Sequence, residues 1–203
     1  MKSSWAHPYP ARPSGPTVDD MTTTEIRPTH SIPATGTKLN TIAAQTANAV
    51  AANSANAVAV FAASATAGDG VSSDVGIRSF SISVDEPPVL GGGDTAPNPV
   101  EFYLASLLSC QVVTYRFWAE RLGVELSSLT LHAEGDLDVR GFFGLDDDVR
   151  PGFTQVRVTV DVAGPDAPER YRELQDVVDK HCPVLDLTQR STPVATELRI
   201  ASA

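Results

Sequence analysis

The stretch NPVEFYLASLLSCQVVTYRFWAERLG, residues 98–123, decides the fold because it encodes a long helix with both ends marked. Asn98 can cap the helix, Pro99 fits its first position, and the Glu101 carboxylate can reach back to the amide of the cap. Gly123 follows the last apolar turn and ends the helix. Apolar side chains occur almost all round it, which predicts a buried central helix over residues 99–122.

Two stretches after this helix alternate between apolar and polar residues, which predicts half-buried strands. They are SSLTLHAEGDLDV (127–139) and FTQVRVTVDVAG (153–164), joined by the acidic turn RGFFGLDDDVRPG (140–152). A second helix is predicted in DAPERYRELQDVVDKHC (166–182), with Asp166 or a neighbour as its cap and Pro183 as its stop. A last strand, PVATELRI (193–200), follows.

Upstream of the central helix, TANAVAANSANAVAVF (46–61) predicts a short helix that runs into a strand, because alanines give way to alternating apolar residues. The segment IRSFSISV (77–84) predicts a second strand, and the two form a hairpin. Strands segregated from helices in this way indicate an α+β fold with antiparallel sheets.

Composition bounds the class of protein. The 203 residues, 42% of them apolar, suffice for one domain, which we assign to residues 38–203. Residues 1–37 are rich in proline and lack an apolar period, which predicts a disordered tail. Met21 resembles a second start, so residues 1–20 are interpreted as vector-derived sequence or an upstream extension.

Charge and hydropathy exclude several partners. A formal net charge of −10 opposes nucleic-acid binding, which needs a basic surface. The chain has no apolar run long enough to span a membrane, and its N-terminus has no secretory h-region, so we predict a cytoplasmic protein.

The two cysteines, Cys110 and Cys182, are open to three interpretations: inert core residues, a metal pair or a redox pair. Together with His181 they supply at most three metal ligands without a ligand-like spacing. We therefore predict neither a metal nor another cofactor.

Three segments resemble the OsmC/Ohr family of thiol-dependent peroxidases and their relatives. They are DEPPVLGGGDTAPNPVEFYLASLLSC (85–110), EGDLDVRGFFGLDDDVRPGF (134–153) and KHCPVLD (180–186), and the likeness spans about residues 57–202. The resemblance implies an intertwined homodimer whose antiparallel sheets wrap buried helices. It also implies an organic hydroperoxide as substrate, Cys110 as the peroxidatic thiol, Cys182 as the resolving thiol and a dithiol as reductant.

The positions of the two cysteines are compatible with these two roles. Cys182 ends a helix, where the dipole disfavours a thiolate, while Cys110 lies in mid-helix among apolar residues and needs a cation from elsewhere. The resemblance implies an arginine from the N-terminal sheet of the partner, paired with a glutamate at the start of the central helix. Arg78, on the second strand, is the candidate; its alternative is an ordinary exposed strand arginine.

The glutamate position of the family is held here by Val100, and the acid comes one residue later, at Glu101. Nine residues separate Glu101 from Cys110, a rotation of about 900°, so the two lie on opposite sides of a straight helix. Glu101 is therefore a helix-capping acid or a displaced anchor for the arginine.

Two functions remain open. The first is a thiol peroxidase acting on organic hydroperoxides through Cys110, Cys182, Arg78 and Glu101. The second is a non-peroxidase relative that binds a small apolar ligand in the dimer cleft, where the thiols take no part in catalysis.

Overall fold

The computed structural model describes residues 38–201, so the predicted tail, residues 1–37, lies outside the described residues. The described chain divides into two compact units. The first is Thr46–Tyr103, and the second comprises residues 38–45 and 104–201.

Helix α1 spans Lys38–Ala52, and a short 3-10 helix follows at Ser54–Ala57. The predicted helix therefore begins earlier than expected. The predicted strand at its end is wrong, because residues 58–63 have no regular structure and Val58, Val60 and Phe61 are exposed. Alternation alone does not make a strand where no neighbouring strand supplies hydrogen bonds.

The first unit contains an antiparallel sheet of three strands: β1 (Ser64–Ala67), β2 (Ser73–Ile77) and β3 (Phe80–Val84), in that order. The segment 77–84, predicted as one strand, is instead the junction of β2 and β3. Ile77 pairs with Phe80, so Arg78 and Ser79 form a two-residue turn, and Arg78 has a positive φ of 56°. A two-residue turn is enough to connect these short strands, and the apolar alternation of the segment did not indicate it.

The loop between β3 and the next helix is organised by one carboxylate. Asp85 is 4% exposed, and its Oδ2 accepts hydrogen bonds from the amides of Gly93 and Thr95 and from the Thr95 hydroxyl, at 2.8–3.1 Å. These hydrogen bonds, first that of the Thr95 amide, lower the pKa of Asp85 from 3.8 to about 2. Hydrogen bonds to the Asp85 carboxylate therefore hold the glycine-rich segment in place.

Helix α2 spans Pro99–Leu122, as predicted. The Asn98 amide donates to Glu101 Oε2 and the Glu101 amide donates to Asn98 Oδ1, each at 2.9 Å. At the other end, Gly123 has a φ of +64° and the Val124 amide donates to the Ala119 carbonyl, which completes a Schellman motif. Sequence signals thus fix both ends of the helix.

Only part of α2 is buried within the chain. Its buried residues are Leu107, Gln111, Thr114, Tyr115 and Ala119. Val113, on the same helix, is 68% exposed. Within a single chain, the burial expected of a central helix is therefore only partial.

The second unit contains β4 (Ser128–Asp136), α3 (Val139–Phe142), β5 (Gln155–Ala163), α4 (Pro168–His181) and α5 (Pro183–Gln189). The strands β4 and β5 pair antiparallel along their whole length, as predicted. The core of this unit consists of Leu107, Tyr115, Ala119, Val124, Leu174, Val178, Cys182 and Leu185. The fold is thus α+β with antiparallel sheets.

The cap of α4 is Ala167, a neighbour of Asp166 as predicted, and the Asp166 carboxylate accepts a hydrogen bond from the Glu125 amide at 2.6 Å. Two other details of the second unit differ from the predictions. Pro183 ends α4 and also begins α5. Residues 191–201 have no regular structure, so the last predicted strand is absent, and Val194, Leu198 and Ile200 are more than 80% exposed.

Among residues 38–201, no helix combines the length and the apolar composition that a membrane crossing requires.

Candidate active site

The second unit brings Cys110 and Cys182 together, although 72 positions separate them in the sequence. Cys110 lies in the middle of α2, and Cys182 lies between α4 and α5. The S–H of Cys182 donates to the Sγ of Cys110, and the two sulfurs are 3.5 Å apart. Both are free thiols. A disulfide is about 2.05 Å long, so the sulfurs need to approach by about 1.5 Å to form one.

The two thiols differ in exposure. Cys110 is half-buried, whereas Cys182 is 1% exposed and belongs to the hydrophobic core. Cys110 is therefore the more exposed of the two residues, although it also packs against the core that contains Cys182. The two thiols therefore lie in unequal environments although their sulfurs are neighbours.

Burial raises the pKa of the Cys182 thiol, and the adjacent Cys110 raises it further. The Leu185 amide and the Thr114 hydroxyl oppose this, because both can donate hydrogen bonds to the sulfur. The net shift is upward, so at neutral pH Cys182 keeps its proton. This agrees with its role as donor to Cys110.

The sequence missed that Cys182 precedes a helix as well as following one. It is the C-terminal cap of α4 and the N-terminal cap of α5. The dipole of α4 disfavours a thiolate there, but the Leu185 amide in the first turn of α5 favours one. The expectation from the α4 dipole alone was therefore incomplete, and burial is what raises the pKa of Cys182.

Thr114 is a site residue that the sequence analysis did not single out. It lies four residues after Cys110 and is 7% exposed, and its hydroxyl donates to the Cys110 carbonyl at 2.8 Å. The spacing of four residues, which places two side chains on one helix face, was the signal available.

An aromatic and cationic stack adjoins Cys182. The rings of Trp118 and His181 stack with centroids 4.5 Å apart, and the Arg121 guanidinium lies 4.8 Å from the centre of the same indole. Trp118 is on α2 and His181 ends α4. The stack therefore joins the end of α4, where the buried thiol lies, to the helix that carries Cys110.

Glu101 and Arg78 belong to the first unit. The Glu101 carboxylate takes part in the capping box described above. Arg78 is exposed at the turn between β2 and β3, and its guanidinium lies 5.2 Å from the centre of the Phe80 ring. Its placement on a strand was wrong; it lies in the hairpin turn.

Across residues 38–201, no group of three or more His, Cys, Asp or Glu side chains is arranged to hold a metal ion.

Solved structures show the same fold. An OsmC-like protein from Mycoplasma pneumoniae is 18% identical and matches with a TM-score of 0.58, covering 66% of this chain and 89% of its own. An organic hydroperoxide resistance protein OsmC from Legionella pneumophila is 19% identical, with a TM-score of 0.51 and coverages of 65% and 90%. An organic hydroperoxide resistance protein from Elizabethkingia anophelis is 19% identical, with a TM-score of 0.53 and coverages of 66% and 91%.

Comparison with curated protein sequences gives no significant match. The family model for OsmC-like proteins matches residues 91–197, just over half of the chain. The matched region contains α2, both cysteines and the sheet of the second unit. This confirms the resemblance inferred from the sequence segments, and the chain belongs to the family of OsmC-like proteins.

Proposed function

We propose that the protein is a thiol peroxidase that reduces organic hydroperoxides, with Cys110 as the peroxidatic thiol and Cys182 as the resolving thiol. One observation carries the proposal: a half-buried and a fully buried thiol face each other at 3.5 Å. A buried cysteine alone is usually a small apolar residue, but two thiols in this arrangement match the needs of a peroxide-reducing cycle.

In the first step, the Cys110 thiolate attacks the distal oxygen of ROOH and the O–O bond breaks. RO⁻ leaves and takes up a proton to give ROH, while Cys110 becomes a sulfenic acid. In the second step, the Cys182 sulfur attacks the sulfenic sulfur, the S–O bond breaks and water leaves. A dithiol then reduces the disulfide and is itself oxidised to a disulfide.

The environment of each sulfur favours this order. Cys110 is the more exposed of the two thiols, and Cys182 holds its proton at neutral pH because burial raises its pKa. The Legionella and Elizabethkingia proteins are named organic hydroperoxide resistance proteins, and this supports the same substrate class.

The test is anaerobic oxidation of the reduced protein with one equivalent of an organic hydroperoxide. The chain has two cysteines, so thiol titration should fall from two to none as an intramolecular disulfide forms. Cys182→Ser should keep the first oxidation and leave a sulfenic acid that dimedone traps. Cys110→Ser should abolish peroxide consumption. A Cys110→Ser variant that consumes hydroperoxide at the wild-type rate would refute the proposal.

We further propose that the working form is a homodimer. Val113 is 68% exposed in the middle of α2, and Val194, Leu198 and Ile200 are exposed along the segment predicted as a strand. Exposed apolar side chains at alternating positions are typical of a strand that pairs with another chain. Light scattering at micromolar concentration should give twice the chain mass; a monomeric mass would contradict the proposal.

Arg78 is our candidate for the cation that activates Cys110, supplied by the second subunit. At this turn Arg78 is exposed, and its guanidinium lies over the Phe80 ring. Arg78→Asn removes the charge and keeps a residue that tolerates a positive φ, whereas Arg78→Lys keeps the charge. We expect sulfenic acid formation to slow by tenfold or more in the first variant and less in the second. Equal rates in both variants would exclude this role.

A second function has its own observation in support. Val100 holds the glutamate position of the family, and the Glu101 carboxylate is engaged in the helix cap. A chain without that anchor fits a non-peroxidase relative that binds a small apolar ligand in the dimer cleft. Absence of peroxide consumption by the wild-type dimer, with both thiols intact, would favour this function.

Free thiols are the normal state of cysteine in a reducing compartment, and both cysteines are free here. We therefore propose a cytoplasmic location. Detection of the native protein in a cell fraction other than the cytoplasm would contradict it.

A further inference from the structure

The second unit contains a cavity of about 220 Å³ between α2, β5, α4 and α5. Nothing in the proposed peroxidase cycle uses it. The volume is below the roughly 300–1,000 Å³ typical of drug-sized ligand sites, so it limits an occupant to a small molecule.

The cavity lining contains an acceptor without a donor. Gln111 is 4% exposed and lines the cavity, and its Oε1 is buried with no hydrogen-bond partner in the described chain. Tyr115, 3% exposed, lies one turn further along α2. Because buried acceptors are nearly always paired, the Gln111 oxygen indicates an occupant that carries an N–H or O–H donor.

The cavity lining also contains an acid without an ion-pair partner. Asp179, on α4, is an exposed residue of the lining, and no lysine, arginine or histidine among residues 38–201 forms an ion pair with it. Burial of part of the carboxyl and then the nearby Asp176 raise the pKa of Asp179. A cation beside it would offset both effects.

One wall of the cavity is apolar. Val156, Val158 and Val160 alternate along β5 and therefore present their side chains to the same face of the strand, and all three line the cavity. A short hydrocarbon chain fits such a wall, whereas an inorganic cation would gain nothing from it.

We propose that this cavity binds a small primary alkylammonium compound. Its ammonium group donates hydrogen bonds to Gln111 Oε1 and the Asp179 carboxylate, and its alkyl chain packs against the three valines. An ammonium group has three donors and a positive charge, so it satisfies the unpaired oxygen and the unpaired acid together. A neutral alcohol can donate to the Gln111 oxygen but does not compensate the charge of Asp179. A carboxylate is repelled by Asp179.

The test is calorimetric titration of the full-length reduced protein with n-butylammonium at neutral pH. We expect saturable binding of one molecule per chain, and at least tenfold weaker binding of 1-butanol, which has the same number of heavy atoms. Butyrate should not bind. Equal affinity for butanol and butylammonium, or no saturation by butylammonium, would overturn the proposal.

Variants locate the site. Asp179→Asn and Gln111→Met should each weaken butylammonium binding by roughly tenfold, while Asp176→Asn, the same charge change on the same helix outside the cavity lining, should change it less than threefold. Asp179 is exposed, so its variant should fold normally even if Gln111→Met does not. Equal effects of Asp179→Asn and Asp176→Asn would show that butylammonium is attracted by negative charge in general and not bound in this cavity, which would contradict the proposal.

This inference does not depend on the peroxidase proposal. Leu185 lines the cavity and its amide also lies against the Cys182 sulfur, but the binding groups exclude both thiols. Cys110→Ser and Cys182→Ser should therefore bind butylammonium as the wild type does. Loss of peroxidase activity in these variants with retained binding would separate the two proposals.

Discussion

The two units of this protein are stabilised by different interactions. All the buried apolar residues of the described chain lie in the second unit, where Leu174 and Val178 have no exposed surface. The buried residues of the first unit, Asp85 and Asn98, are both polar. The first unit thus depends on turns and hydrogen bonds within the chain, and the second on a hydrophobic core. Within the described chain, the sheet of the first unit therefore has no apolar core of its own.

The largest expected effect tests the difference in apolar burial between the two units, by truncating one apolar residue in each. Leu174→Ala, in the core of the second unit, should lower the free energy of unfolding by about 2–5 kcal/mol, because it leaves a cavity. Phe80→Ala, on β3 and 60% exposed, should change it by less than about 0.5 kcal/mol in a monomeric sample. Urea unfolding measures both. A large loss for Phe80→Ala that depends on protein concentration would show that a second copy buries this sheet.

The next effect concerns the polar centre of the first unit. Asp85→Asn removes the charge that accepts three hydrogen bonds, so the melting temperature at pH 7 should fall, by less than for Leu174→Ala. The folded pKa of Asp85 is depressed from 3.8 to about 2, so its stabilisation is complete above pH 3.8 and is lost as the pH falls through 2.

The difference in melting temperature between wild type and Asp85→Asn should therefore shrink between pH 4 and pH 2. Asp74→Asn is the matched control, because Asp74 is exposed and its carboxylate accepts a hydrogen bond from the Ser83 hydroxyl. It should have little effect at any pH. A constant difference for Asp85→Asn down to pH 2 would exclude the charge as the cause.

A smaller effect is expected at the end of α2. Gly123 has a φ of +64° and nothing within 4 Å of where a Cβ would lie, so Gly123→Ala should cost about 1 kcal/mol from backbone conformation alone. Gly152→Ala, at a glycine without positive φ and in ordinary contact distance, should change stability by less than about 0.5 kcal/mol. Equal stability of the two variants, measured by thermal unfolding, would argue against this explanation of the helix end.

The smallest effect is expected at the turn of the first unit. Arg78 has a positive φ, which asparagine tolerates better, but its guanidinium also contacts the Phe80 ring. These terms oppose each other, so Arg78→Asn should change the free energy of unfolding by less than about 0.5 kcal/mol. A loss above 1 kcal/mol would mean that Arg78 has a structural partner beyond Phe80 and would complicate its use as a probe of activation.

Local signals determined the parts of the fold that depend on neighbouring residues. Helix α2 begins and ends where Asn98, Glu101 and Gly123 predict, because a capping box and a Schellman motif are made within a few residues. The alternating pattern also predicts the strands β4 and β5, because one face of each packs on a core within the same unit. The two cysteines were identified as candidates, and the family was recognised from the segments that carry them.

Tertiary structure decided what depends on residues distant in sequence. Segments 58–61 and 193–200 have the alternation of strands but remain unpaired, because a strand forms only where another supplies its hydrogen bonds. Arg78 lies in a turn that the surrounding alternation concealed. The 3.5 Å approach of Cys110 to Cys182 and the unpaired oxygen of Gln111 arise from the packing of α2 against α4 and α5. The spacing of residues along the chain determines where a helix is capped and which residues share a face of a helix or strand. Only tertiary packing determines which side chains distant in the sequence come into contact.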